Sequence, residues 1–333
     1  MGERRKDKLK EIGFYTLEDY RVRHVNESSP MWRCEIILTE FCNFNCPYCR
    51  GLDDKIYGTR NIKQLTLIEV KKIIDIWCKD KPLKNIRFSG GEPMFYPYIM
   101  EVVKYAKEKG IKKIAISTNG SSIPKKYKEA VKAGCNDFSV SLDGCCSKDI
   151  REMSGGNGVF KTIRKNIRLL SKLTYVTVGI VLNENNVSKC VETIEFAYEL
   201  GVSDIRIISS AQYNKPLPEL DKIPKIILDK YPILKYRVNH FKNGINVRGI
   251  KKTDSHKCAL LMDDSVVAGE YHFPCVIYMR EKGKPIGKVK PSMREQRIKF
   301  MNKHDSYEDP ICRKNCLDVC IDYNNRYREL KND

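Results

Sequence analysis

The 333-residue sequence has only two tryptophans and five histidines. The histidines show no H-x-x-H grouping and no Ser–His–Asp order stands out, so neither histidine-held zinc nor a serine nucleophile is indicated. No apolar run approaches the roughly 18 residues needed to cross a bilayer. The first residues, MGERRKDKLKEIG, carry charge with no apolar signal core behind them. A cytoplasmic protein with no membrane partner is therefore expected. Internal repeats beyond the alternation described below and low-complexity tracts are also lacking.

Cysteine, by contrast, is abundant, with fourteen residues. A secreted disulfide framework suits a short exported chain, and this one is long and without an export signal. Metal or redox chemistry is the better reading, because Cys42, Cys46 and Cys49 lie within eight residues and Cys312, Cys316 and Cys320 within nine. The formal charge of +19 is spread along the chain and is concentrated only in 280–303, where nine basic residues face Glu281 and Glu295. A spread excess mainly aids solubility. An anionic substrate or nucleic acid at 280–303 is the alternative, although few aromatics are there to stack bases.

From Cys34 onward short apolar runs alternate with amphipathic ones. Strands are predicted at 34–40, 85–89, 113–118, 137–142, 175–182 and 204–209, and helices at 66–79, 97–109, 124–133, 158–172 and 187–200. Regular βα alternation implies a parallel sheet with right-handed crossovers, and six units imply an open, incomplete version of the eight-fold barrel. Sites in such folds form at the C-terminal ends of the strands. The expected organisation is an extension at 1–33, a partial (β/α)6 TIM-like barrel at 34–210, a proline-rich connector at 211–255 and a small cysteine-rich module at 256–333.

The first strand runs into Thr39-Glu-Phe-Cys42-Asn-Phe-Asn-Cys46-Pro-Tyr-Cys49-Arg-Gly51. Iron–sulfur clusters are held by cysteine thiolates, and three thiols so close together can occupy three corners of a cubane, with no local ligand for the fourth. Zinc normally takes two C-x2-C pairs, which this spacing does not match. The C-x3-C-x2-C loop, with an aromatic before its last cysteine and a βα series behind it, resembles the radical S-adenosylmethionine (radical SAM) superfamily. Ser89-Gly90-Gly91-Glu92-Pro93, after the second strand, resembles that family's GGE motif; read alone it is an ordinary strand-to-helix turn.

The resemblance covers 34–210. It implies a [4Fe-4S] cluster on Cys42, Cys46 and Cys49 whose open iron binds S-adenosylmethionine, with reductive cleavage to a 5′-deoxyadenosyl radical that abstracts hydrogen from the substrate. It also implies cofactor contacts by Tyr48, Gly90, Gly91, Glu92, Ser117, Asn119, Ser141, Asp143, Arg151 and Asn183, and an external electron donor such as a flavodoxin or ferredoxin. Cys145 and Cys146, after SLDG at the active edge, are candidate hydrogen-atom donors, with loop packing as the alternative. Cys34, Cys78, Cys135 and Cys190 read as small core residues.

Cys258, Cys275, Cys312, Cys316 and Cys320 resemble the SPASM and Twitch auxiliary-cluster modules that follow many radical SAM barrels. Five thiols suit one auxiliary [4Fe-4S] cluster with a spare, and Cys316 and Cys320 compete for the fourth place; a zinc knuckle is the alternative. The expected substrate is a peptide or a polar metabolite, undergoing maturation, dehydrogenation or epimerisation. Radical modification of a nucleic acid and a non-catalytic, zinc-binding nucleic-acid-binding protein are the other readings. The first 33 residues are too short for a separate peptide-binding domain, which weighs against a peptide.

Overall fold

The structure is a computed structural model that describes residues 20–50, 63–210 and 218–331. The expected extension is thus described from Tyr20 only, and the start of the connector lies outside the described residues.

Six parallel strands, β1 (Arg33–Thr39), β2 (Asn85–Gly90), β3 (Lys113–Thr118), β4 (Asp137–Ser141), β5 (Tyr175–Leu182) and β6 (Asp204–Ser209), lie side by side in chain order. Their outward side chains, such as Ile36, Phe88, Ile116, Phe138, Val178 and Ile207, are fully buried in one core. The inward face alternates with these and is polar. Arg87 donates to Ser117 at 2.9 Å and Ser89 to Glu35 at 2.6 Å across neighbouring strands, and Arg206 on β6 reaches over β5 to Ser139 on β4 at 3.4 Å. A period of two with an apolar outer and a polar inner face is what a sheet curled around a solvated interior requires.

Helices return between the strands: α1 (Tyr20–His24) before β1, then α2 (Leu67–Trp77), α3 (Ile99–Glu108), α4 (Pro124–Ala133), α5 (Ser147–Met153), α6 (Phe160–Leu173) and α7 (Cys190–Glu199). Local chemistry sets their ends. Thr66 and Glu69 form a reciprocal capping box on α2, and Pro124 starts α4, where its missing N–H costs nothing. Ile163, Ile167 and Leu170 bury one stripe of α6. On the same face Asn166 donates to the carbonyls of Gly120 (2.8 Å) and Ser122 (2.7 Å), which fixes the loop beyond β3.

Beyond β6 the structure is more regular than the prolines led us to expect. Pro224 precedes α8 (Lys225–Lys230) and Pro232 is the first residue of α9 (Pro232–Lys242), so both begin helices. The cysteine-rich segment is joined to the main sheet. Strand β7 (Asp264–Ala268) pairs in parallel with β1, Arg33 against Asp264 through Ile37 against Ala268, and β8 (Tyr271–Phe273) and β9 (Gly287–Lys288) continue it antiparallel. The nine strands run in the order β6-β5-β4-β3-β2-β1-β7-β8-β9.

Four helices complete the described chain: α10 (Val276–Arg280), α11 (Met293–Lys303), α12 (Pro310–Asn315) and α13 (Asp318–Lys331). Fully buried Arg297 on α11 donates to the carbonyls of Leu261, Phe273, Asp264 and Pro274. Arg294 binds the carbonyls of Met262, Asn26 and Glu27. Two arginines of the basic stretch 280–303 are therefore internal struts.

Candidate active site

At the C-terminal mouth of the sheet a cavity of about 400 Å³ opens. The loop after β1 forms one wall, and Cys42, Cys46 and Cys49 all line the cavity. The loop is held from several sides: the Cys49 amide donates to the Cys46 carbonyl (2.9 Å), Asn45 N–H to the Ser154 carbonyl (3.0 Å), and Phe44 N–H to Cys42 Sγ (3.4 Å). Asn119 Nδ2 reaches Asn43 at 2.9 Å and Cys42 Sγ at 3.9 Å.

The end of β2 lies directly beneath. Gly91 N–H donates to Thr39 O and Glu92 N–H to Phe41 O, both at 2.7 Å. A Cβ on Gly91 would stand 2.1 Å from Phe41 O and 2.5 Å from Glu40 O, so only glycine permits this approach. Glu92 itself turns inward and is fully buried, accepting from Met94 N–H (3.0 Å), Thr118 Oγ1 (2.7 Å) and Asn119 N–H (2.6 Å). Burial lifts its carboxyl to about 7 against the opposing pull of those three donors.

The predicted cofactor residues divide into two groups. Tyr48, Gly90, Gly91, Ser117, Asn119, Ser141 and Asp143 line the cavity; Glu92, Arg151 and Asn183 do not. Arg151 is exposed on α5, and the Asn183 side chain accepts from Asn185 N–H (2.9 Å) within its own turn. Tyr48 donates its hydroxyl to Asp143, whose other oxygen accepts from Val181 N–H (2.7 Å). Burial raises the Asp143 carboxyl to about 6. Cys145 and Cys146 also stand outside the lining; Cys145 donates to Asp149 (3.7 Å), which Lys189 binds at 2.6 Å.

Burial pushes the Cys46 thiol up to about 12, with Asp143 adding to the effect, and it also raises Cys42. Thiolates there need a cation to offset the desolvation. Among the described residues no three of these thiols have all their sulfurs within 4.8 Å of one another. Tetrahedral zinc, with Zn–S near 2.3 Å, would draw its sulfurs to within about 3.8 Å. The three sulfurs are not gathered around a single ion, and three thiols with no local fourth are a donor set that fits three corners of a cubane.

The five C-terminal cysteines converge from separate elements. Cys258 precedes a 3-10 turn (Ala259–Met262), Cys275 caps α10, Cys312 lies in α12, Cys316 follows it and Cys320 lies in α13. They are close enough to perturb one another: burial, then Cys320, raises Cys258 to about 11, and burial followed by Cys320 raises Cys275 to about 12. Cys320, followed by burial, raises the Cys316 thiol, so the two contenders for the fourth place are neighbours. Here too no three sulfurs lie all within 4.8 Å; among the described residues the group that does is His304, Asp309 and Cys312. Cys34, Cys135 and Cys190 are fully buried and Cys78 packs partly against the core, as expected.

The sequence reading overlooked Asn43, Asn166 and the cavity arginines Arg50, Arg206, Arg248 and Arg280. A signal was present for Arg206, since an arginine in the middle of DIRIIS is costly unless that face is solvated.

Residues 36–197 match the family described as the radical SAM superfamily. A probable GTP 3′,8-cyclase of Sulfurisphaera tokodaii is 26% identical over 232 residues, 65% of this chain and 71% of that protein. SuiB of Streptococcus suis, solved with its precursor peptide SuiA, aligns with a TM-score of 0.56 at 15% identity over 93% of this chain and 69% of its own. anSMEcpe, solved with bound AdoMet, gives 0.56 at 15% identity over 91% and 92%. These two share the fold. Residues 36–197 are thus a radical SAM domain, and the chain is an enzyme of the superfamily whose members use a [4Fe-4S] cluster and S-adenosylmethionine.

Proposed function

We propose that Cys42, Cys46 and Cys49 hold the [4Fe-4S] cluster and that S-adenosylmethionine lies in the adjoining cavity, from which hydrogen is taken from a peptide or polar metabolite. The observation that carries this reading is the meeting of all three thiols with Gly90, Gly91, Ser117, Asn119 and Ser141 around one cavity at the mouth of the sheet. When bound, the cluster supplies the electron that cleaves S-adenosylmethionine to a 5′-deoxyadenosyl radical.

The chain's own residues prepare the place. Gly90 and Gly91 bring bare backbone to the cavity wall, and Glu92 locks the ends of β2 and β3 together from below. Tyr48 and Asp143 clamp the cysteine loop to the end of β4. Phe44, Ile150, Met153 and Val181 give the wall an apolar side that limits water near a reactive carbon. Arg151 and Asn183 keep their proposed cofactor contacts, and Cys145 and Cys146 their proposed hydrogen-atom donation, on resemblance and sequence position alone.

We further propose that Cys258, Cys275, Cys312 and one of Cys316 and Cys320 hold an auxiliary cluster. The external electron donor is a flavodoxin or ferredoxin. A peptide substrate is favoured by the shared fold with peptide-bound SuiB, and a polar metabolite by the relatives named GTP 3′,8-cyclase. Nucleic acid is disfavoured, because Arg294 and Arg297 of the basic stretch are spent on internal carbonyls.

Anaerobically reconstituted, reduced protein given S-adenosylmethionine is expected to yield 5′-deoxyadenosine. Iron-replete protein that makes none would overturn the reading. Deuterium carried from a candidate substrate into that product would identify the reacting position.

A further inference from the structure

Four arginines border the cavity, Arg50, Arg206, Arg248 and Arg280, against two carboxylates, Glu35 and Asp143. Most of these charges are answered by the protein. Glu35 is held by Arg33 (2.9 Å) and Ser89, Asp143 by Tyr48 and Val181 N–H, and Arg50 by Glu281. Arg280 donates to Gly90 O at 3.3 Å.

Arg206 and Arg248 make no ion pair among the described residues. Arg206, inward on β6, has one weak bond to Ser139 (3.4 Å), and Arg248 has two to the Asn315 (3.3 Å) and Ser209 (3.5 Å) carbonyls. Among the described residues Arg248 Nε is buried without a partner, and so are the hydroxyls of Ser209, which ends β6, and Ser210, which follows it, both in the same cavity wall. Arg206 is exposed although protein encloses it, because the water it meets is inside the barrel. Burial and the neighbouring Arg87 lower its pKa only to about 10, so it remains a cation at neutral pH.

Two cations without an ion pair and two hydroxyls without a partner among the described residues, all lining one cavity, form a receptor for an oxyanion. We infer that the substrate of this enzyme carries an anionic group, a carboxylate or a phosphate, which docks on Arg206, Arg248, Ser209 and Ser210. The inference rests on the proposed function, since it names the substrate class of the same cavity. It places the recognised group on the β6 wall and the cysteine loop on the β1 wall, so that the substrate lies between anchor and radical source.

The test uses anaerobically reconstituted protein and titration calorimetry with inorganic phosphate, pyrophosphate and succinate. At least one anion should bind one per chain, and Arg206→Gln should weaken it tenfold or more, while Arg206→Lys recovers part of the loss. Lys165→Gln, which removes an exposed charge on α6, should leave binding unchanged. Binding of phosphate or pyrophosphate alone assigns a phosphate group, and of succinate alone a carboxylate. Iron content and circular dichroism verify that each variant is folded. No binding by any of the three, or binding that Arg206→Gln and Lys165→Gln reduce equally, overturns the inference. Wild-type protein that still produces 5′-deoxyadenosine in that event leaves the proposed function standing, whereas loss of 5′-deoxyadenosine with anion binding intact removes only the latter.

Discussion

At the scale of single residues, the molecule separates side chains that hold the fold from side chains that face the cavity, and titration tells them apart. His272 on β8 is fully buried, with Nε2 3.2 Å from Gln296 Oε1 and Nδ1 without a partner. Burial, reinforced by Arg297, lowers its pKa from 6.5 to about 4. A base depressed on folding contributes stability that is fully present above pH 6.5 and is lost as the pH falls towards 4, because the unfolded chain takes up the proton first. The contribution is about 3 kcal/mol. Denaturant unfolding at pH 7 and pH 4.5 should therefore show a smaller pH-dependent loss in His272→Phe than in the parent. An identical loss in both would place the acid sensitivity elsewhere.

At the scale of elements, the six strands and their five long helices were legible because each βα unit carries its own period, two and then 3.6. Cys42, Cys46, Cys49 and the GGE turn were legible for a related reason: each follows a strand at the edge where such sheets place their chemistry. Strand β7 was not, since DSVVA is five residues long and earns its place only by pairing with β1, a contact 231 residues away in sequence for Arg33 and Asp264. The inward arginines escaped notice because, in sequence, a solvated inner face reads like a broken apolar strand. The glycine turn gives the element-scale prediction. Gly91→Ala would drive its methyl into the carbonyls of Phe41 and Glu40 and push the cysteine loop away from β2. It should cost roughly 2–4 kcal/mol and, if both cysteine groups hold iron as proposed, lower iron at the loop severalfold and leave the C-terminal iron in place. Equal loss from both would show that the turn acts on the whole fold.

At the scale of the whole molecule, the two cysteine groups are mechanically linked. Cys258 stands just before the 3-10 turn that enters β7, and Cys275 follows β8, so the segment between two proposed ligands is the part of the sheet laid against β1. The far end of β1 delivers Cys42. Whatever gathers the C-terminal thiols therefore also braces the strand that presents the first three. Opening of a paired edge is local, and its free energy is reported by amide exchange. In the iron-loaded protein, Cys258→Ser should speed exchange at 266–268 by tenfold or more and, less strongly, along β1, with β4 and β5 unchanged. Replacing Cys42, Cys46 and Cys49 together by alanine should remove roughly half the iron, if each group holds a four-iron cluster, and leave protection of β7 intact. Were the triple variant to loosen β7 as much as Cys258→Ser does, the bracing would run in both directions, and the C-terminal segment would be no scaffold for the loop but an equal part of one cooperative unit.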